Sequence, residues 1–228
     1  GIQVLDGATG ATLGLMDKTG ISGGSIQVLN QIRVADDGAI YAANWTAPTP
    51  ASLVKIYRWT NWLSIPTVAY AGNATSNNST AGGFNLGATR VGDTMAIRGA
   101  GANTQIILPV GVGSVTATTN FLFFTTTDGL NFSNHILTVS GYAASGSGIY
   151  GVCFYTNNTF LVRLAGATGN NLLLVQYPAN IGSLGEGPVA GTVIGTYSLP
   201  GVLSTTAFID YKSAGQGGFM ALASPQNS

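Results

Sequence analysis

An all-β fold of four-stranded antiparallel blades, a β-propeller, is predicted for this 228-residue chain by three features. Charged residues are 7% of the sequence, against roughly 25% in ordinary globular proteins, and Glu186 is the only glutamate, so exposed helix faces lack their usual Glu and Lys. No long window repeats apolar residues at i, i+3, i+4 and i+7. The 33 glycines and 9 tyrosines lie among many Thr, Ser and Asn, and the hairpin signals Asp37-Gly38 and Asp128-Gly129 sit between β-branched and aromatic runs.

The strand pattern recurs about every 45 to 55 residues, the range in which repeat architectures are expected. Residues 2–6 and 11–16 read as the outer two strands of a blade. Residues 30–35, 39–44, 52–59 and 67–71 form the first whole blade, with Asp37-Gly38 as its first turn. Residues 74–86, rich in Ser, Thr, Asn and Gly without an apolar period, read as a flexible loop between blades. The next blade takes residues 93–98, 104–109, 120–126 and 135–139, and the third takes 149–155, 159–164, 171–177 and 188–197. Residues 205–211 and 217–223 read as the inner two strands of a blade whose outer half never arrives. The first and last blades are thus incomplete and complementary, giving about four blade equivalents in one domain or propeller segment spanning residues 1–228.

Two outcomes follow from those deficits: the ring closes within one chain, or the open ends meet another segment or another copy. Either way Ile2 and Val4 at one end and Phe219, Ala221 and Ala223 at the other carry the closure or assembly. Val34, Ile40, Ile97, Ile107, Phe123, Val152, Phe154, Leu161 and Phe208, on inner or middle strands in apolar alternation, are expected between blades.

Eight Lys and Arg balance eight Asp and Glu, which leaves no electrostatic case for nucleic acid or an anionic membrane as partner. Apolar runs such as 105–113 fall short of the roughly 18 residues of a membrane-spanning helix. No signal peptide is evident; the chain opens at Gly1 directly inside a strand pattern, as a processed or truncated product would. A single cysteine, Cys153 in an apolar run, excludes an internal disulfide and reads as a small buried hydrophobe.

The stretches Ile2-Gln-Val-Leu-Asp-Gly-Ala-Thr-Gly10, Val34-Ala-Asp-Asp-Gly-Ala-Ile-Tyr-Ala-Ala-Asn44, Lys55-Ile-Tyr-Arg-Trp59, Arg98-Gly-Ala-Gly-Ala-Asn-Thr-Gln105 and Thr125-Thr-Thr-Asp-Gly-Leu-Asn-Phe132 resemble a family of secreted bacterial β-propeller-like proteins of unknown function. The resemblance runs from about Gly1 to about Pro225. It implies a propeller-like fold and a secreted, extracellular or cell-surface setting, and it transfers no catalytic residue. Members of that family are longer and carry additional strands at both ends, which suits a fragment.

Thr126-Thr-Asp-Gly-Leu-Asn-Phe132 is similar to the Asp-box turn of sialidase-type propellers, one residue short and with Asn131 in place of a hydroxyl residue; such boxes are structural turns. Leu5-Asp-Gly-Ala-Thr-Gly10 invites the same reading. A glycosidase needs two facing carboxylates, and the best acidic cluster is Asp93 with Arg90 and Arg98, expected either as a polar site at a channel mouth or as an ion pair fixing a blade. His135 is the only histidine and is expected as a partly exposed β residue with no Ser-His-Asp pattern around it. Neither zinc nor calcium has a ligand set of the usual spacing, and Gly99-Ala-Gly-Ala-Asn103 reads as a hairpin connection, not a dinucleotide loop. No metal, cofactor or catalytic residue is therefore assigned.

Trp45, Trp59 and Trp62 with Tyr57 and Arg58 offer either blade packing or an aromatic platform for a sugar. The sequons at Asn44, Asn73, Asn77, Asn78, Asn131 and Asn157 suggest exposed loops. The function expected is that of a secreted structural or interaction propeller, a self-assembling subunit of an extracellular structure, with a carbohydrate-binding or sialidase-like propeller as the alternative. Near-zero charge suits assembly, because copies do not repel one another.

Overall fold

The computed structural model describes residues 1–46, 53–72, 90–112, 120–140, 149–164, 170–185 and 187–198. Among them lie fifteen strands and two short 3-10 turns, with no α-helix; no helix there is long and apolar enough to cross a membrane. A hairpin of β1 (Gln3–Leu5) and β2 (Thr12–Leu15) forms a sheet of its own. The antiparallel meander β3 (Gln27–Val34), β4 (Ile40–Trp45), β5 (Val54–Trp59), β6 (Thr67–Gly72) forms a second sheet.

The third sheet takes all the rest: β7 (Arg90–Val91), β8 (Ala96–Arg98), β9 (Gln105–Val112), β10 (Asn120–Thr126), β11 (Phe132–Ser140), β12 (Ile149–Phe154), β13 (Thr159–Leu164), β14 (Asn170–Gln176) and β15 (Pro188–Ser198). Its order is β12-β13-β14-β15-β11-β10-β9-β7, with β8 also on β9. Both meanders anticipated in this half are present, β8 to β11 and β12 to β15. They are not separate blades. β15 pairs in parallel with β11, Ile136 opposite Pro188 through Ser140 opposite Thr192, and β12 packs back against β8 and β9, so the sheet rolls into a nearly closed barrel.

Glycine explains how the two fourth strands meet. A Cβ at Gly191 would lie 3.1 Å from Leu137 Cδ1, 3.2 Å from the Gln176 carbonyl oxygen and 3.3 Å from Val139 Cγ2, so any larger residue would press on both neighbouring strands. The sequence pattern of four-stranded units says nothing about this edge pairing, which is why radial blades were expected.

The core follows from strand alternation. On β10, Phe121 and Phe123 point into the barrel with Ile107, Phe160, Val162, Leu173 and Val175, whereas Leu122 and Phe124 point the other way onto Tyr41, Ile56, Leu108 and Ile136 of the layer shared with β3 to β6. Burial on both faces accounts for the unbroken apolar run at 121–124. Edge-to-face rings lock the layers, Phe121 on Phe160 at 5.1 Å and Tyr70 on Phe124 at 4.8 Å, each pair worth about 0.5–1.5 kcal/mol beyond its area. A third cluster, Met16, Ala42, Tyr57 and Trp59, lies beneath the β1–β2 hairpin with Ile2, Val4 and Trp62.

Of the residues expected between blades, Ile107, Phe123, Val152, Phe154 and Leu161 are buried, Ile40 and Ile97 are half-buried, and Val34 is 59% exposed. Val34 stands on the edge strand opposite Ile40, on a face the hairpin only partly covers. Phe208, residues 74–86 and the terminal strands expected at 205–211 and 217–223, with Phe219, Ala221 and Ala223, lie outside the described residues. His135, expected as partly exposed, is 2% exposed. Asn44, expected in an exposed loop, is buried, with its amide bonded to Leu53 O at 2.8 Å and accepting from Lys55 N at 2.9 Å.

Candidate functional site

Three turns meet at one end of the barrel, each shaped by an aspartate or a glycine. At the β10–β11 turn, Asp128 Oδ1 accepts from Leu130 N at 2.7 Å, Asn131 N at 2.8 Å and Thr126 Oγ1 at 2.9 Å, while Thr126 Oγ1 accepts from Gly129 N at 2.9 Å. Phe132 tucks in behind it against Tyr41, ring centroids 5.7 Å apart. These bonds, the Asn131 backbone first, hold the Asp128 carboxyl well below its ordinary 3.8. The β3–β4 turn sends Asp36 Oδ2 to Gly99 N at 2.8 Å and Asp37 Oδ2 to Gly101 N at 2.9 Å, clamping the β8–β9 connection. At Gly99, with φ of 82°, a Cβ would sit 2.2 Å from Asn103 O, so only glycine fits.

Arg98 ends β8 beside this junction and lies directly opposite Gln105 on β9. Its Nε donates to Gln105 Oε1 at 2.8 Å, its Nη2 donates to the Tyr177 hydroxyl, and its Cζ lies 4.5 Å from the Phe154 ring centroid. Nη1 takes no acceptor, and no carboxylate among the described residues is within ion-pair reach of it. Burial lowers the guanidinium from its ordinary 12.5 against the opposing pull of Tyr177 and Asp36, and it remains a cation at neutral pH. Burial also pushes the Tyr177 hydroxyl up to about 12, with Arg98 opposing; it stays protonated and donates to Gln105 Oε1 at 3.2 Å.

A cleft of about 500 Å³ opens over this group, lined by Asp36, Arg98, Gln105, Thr125, Asn180 and Ser183 among others. The last two come from the connection between β14 and β15, which carries a 3-10 turn at Ile181–Ser183. Thr104 also lines the cleft; it is fully buried, and its Oγ1 has no hydrogen-bond partner. Behind Thr125, His135 Nε2 lies 2.9 Å from its Oγ1, and His135 Nδ1 lies 3.3 Å from the Gly185 carbonyl oxygen. A carbonyl only accepts, so Nδ1 carries a proton and the ring is fixed in place.

Among the residues singled out in the sequence, Arg98 lines this cleft and Asp93, Trp45, Trp59 and Trp62 do not. Asp93 lies in the bend before β8, which begins only at Ala96, and its carbonyl accepts from Gln31 Nε2 at 2.9 Å. Arg90 is in β7. Trp59 is fully buried and donates Nε1–H to Asp17 O at 2.9 Å; Trp62 packs beneath the hairpin. Trp45 alternates onto the opposite face of the sheet from Trp59, so the structure does not bring the three tryptophans onto one surface. Gln105, Tyr177, Thr125, Asn180 and Ser183 were not singled out. Only Gln105 had a readable signal, as the cross-strand partner of Arg98 in a short hairpin.

A second feature is the outer flank of the molecule. Val4 faces the sheet beneath, and the hairpin turns Leu5, Leu13 and Leu15 outward, all more than half exposed. Ile32 lies opposite Ala42, Val34 opposite Ile40 and Val68 opposite Tyr57, so all three share the face the hairpin covers, and all remain exposed. Leu63 and Ile65 follow Trp62 in the same loop and are also exposed.

No family model matches the chain, and no curated protein matches it. Among solved structures it is similar to the crystal structure of a DUF4623 family protein from Bacteroides eggerthii, with a TM-score of 0.48 and 16% identity over 88% of this chain. The chain spans 56% of that protein's length. Among the described residues no group of three or more His, Cys, Asp or Glu could hold a metal ion.

Proposed function

We propose that the chain is a structural and interaction segment of a secreted or cell-surface β-propeller, assembled through its N-terminal hairpin with strands of the same protein. The observation behind this reading is the β1–β2 sheet, two-stranded among the described residues and bearing an apolar outward face. A hairpin of that kind is marginal alone, and contiguous exposed apolar surface marks an interaction site. The occupants that fit are the strand-patterned runs at 205–211 and 217–223, supplied by the same copy or by the next one. On this reading the meander β3 to β6 is a blade unit and the hairpin is half of another, completed by those strands.

Backbone direction specifies the test. Met16 N donates to Ile2 O, and Asp6 N donates to Ala11 O, so residues 2, 4 and 6 bond toward β2 and Gln3 presents its N–H to the open edge. Gln3→Pro removes that outward donor and spares the hairpin's own backbone bonds; the cross-strand bond from Gln3 Nε2 to Thr12 Oγ1 at 2.7 Å is lost as well, and Gln3→Ala is the control for it. Closure within one chain predicts a lower Tm for Gln3→Pro by circular dichroism at unchanged size. Closure between copies predicts folded subunits that no longer associate on a sizing column. Identical Tm and size for the two variants would refute the proposal.

A further inference from the structure

The cleft above Arg98 is a second, independent site, and we infer that it binds a small hydroxylated carboxylate, such as a hexuronic acid, with Arg98 Nη1 meeting the carboxylate. The guanidinium is already placed: Gln105 and Tyr177 hold one edge, and the Phe154 ring lies against its face. The remaining edge includes Nη1, whose N–H groups have no acceptor among the described residues. A half-buried cation with fixed geometry and no carboxylate among the described residues at ion-pair distance favours a planar anion that takes two parallel hydrogen bonds.

The rest of the lining selects against a bare anion. Asp36 stands in the same cleft with Oδ2 taken by Gly99 N, and its remaining acceptor capacity suits a hydroxyl donor. Gln105 Nε2, Asn180 and Ser183 add neutral donors and acceptors. A carboxylate with neighbouring hydroxyls satisfies cation, carboxylate and hydroxyl together. Acetate satisfies only the first, and a neutral hexose only the others. About 500 Å³ accommodates one monosaccharide with its water.

The test is amide chemical-shift mapping of the full chain with sodium glucuronate, with glucose and sodium acetate at equal concentration as comparators. Glucuronate should give saturable shifts centred on residues 98–105, 125–126 and 180–183, at least about tenfold tighter than either comparator, the scale of one charge-assisted hydrogen bond. Arg98→Gln should abolish that preference. Because Arg98 also packs, Ser183→Trp gives a second reading: Ser183 is an exposed rim residue, and a bulky ring there should close the cleft and weaken glucuronate at least tenfold with an unchanged circular dichroism spectrum. Non-saturable shifts, equal shifts with glucose, or tight binding retained in Ser183→Trp would each overturn the inference. None of these outcomes depends on the terminal strands, so the site stands or falls apart from the assembly proposal.

Discussion

Asp128 shows how much one exposed side chain organises. Both its oxygens are engaged, Oδ1 by two backbone amides and the Thr126 hydroxyl and Oδ2 by the Asn131 side-chain amide at 2.8 Å. Its folded pKa lies below the ordinary 3.8. For a carboxylate depressed in the folded state, the stabilisation is fully present above the unfolded pKa and is lost as pH falls through the folded one. Asp128→Asn, which cannot titrate, should therefore melt below the native protein at pH 7, and the gap should narrow as pH drops below 3.8; a gap independent of pH would place the effect elsewhere. The turn was legible because all its partners lie within five residues of one another. The Arg98 site was not, since Arg98 and Tyr177 are 79 positions apart and only the rolled sheet brings them together. His135 misled for the same reason: its Nδ1 meets the carbonyl oxygen of Gly185, 50 residues away. Phe154 lies edge-to-face on Phe123 at 6.0 Å beneath Arg98. Phe154→Ala should cost about 3–5 kcal/mol in urea unfolding, and a loss under about 1 kcal/mol would mean that the strand is not packed as described.

At the scale of elements, alternation and turn residues located nearly every strand, because a half-buried strand writes its period directly into the chain. Partners across sheet edges have no such signature. β9 was expected to stop at Pro109, yet it runs to Val112. Its pairing with β8 ends at Ile107 and that with β7 begins at Val110, so Pro109, opposite Phe121 of β10, takes part in neither of those two pairings. Two-residue β7 is too short to show any period. The β11–β15 junction was equally invisible, and Gly191 is its sensitive point. Gly191→Ala should cost about 1–2 kcal/mol, since its Cβ would press on the Gln176 carbonyl and two side chains at 3.1–3.3 Å. Gly187→Ala, with nothing within 4 Å of its Cβ, should stay within about 0.5 kcal/mol. Equal effects in chemical denaturation would mean that the parallel pairing does not hold the barrel together.

For the whole molecule the governing quantities are a formal net charge of zero and one apolar flank. Copies of a neutral protein approach without repulsion, so attraction between apolar surfaces is unopposed. The composition announced the first condition. The second needed the fold, because only the hairpin lying over β3 to β6 puts Leu5, Leu13 and Leu15 on the same side of that sheet as Val34 and Val68. If that flank is covered by strands of another copy, association should be insensitive to sodium chloride, which screens charges that are scarce here, and should strengthen in ammonium sulfate, which favours burial of apolar surface. The double change Leu13→Lys with Leu15→Lys then separates surface from interface. On a bare surface each substitution shifts stability by no more than about 0.5 kcal/mol, whereas in a covered interface it buries an unpaired cation at a cost of several kcal/mol. The expected outcome is a folded protein of nearly native Tm whose sedimentation no longer depends on concentration or sulfate. A variant that still associates as the native chain does would leave the flank bare and exclude it as the contact.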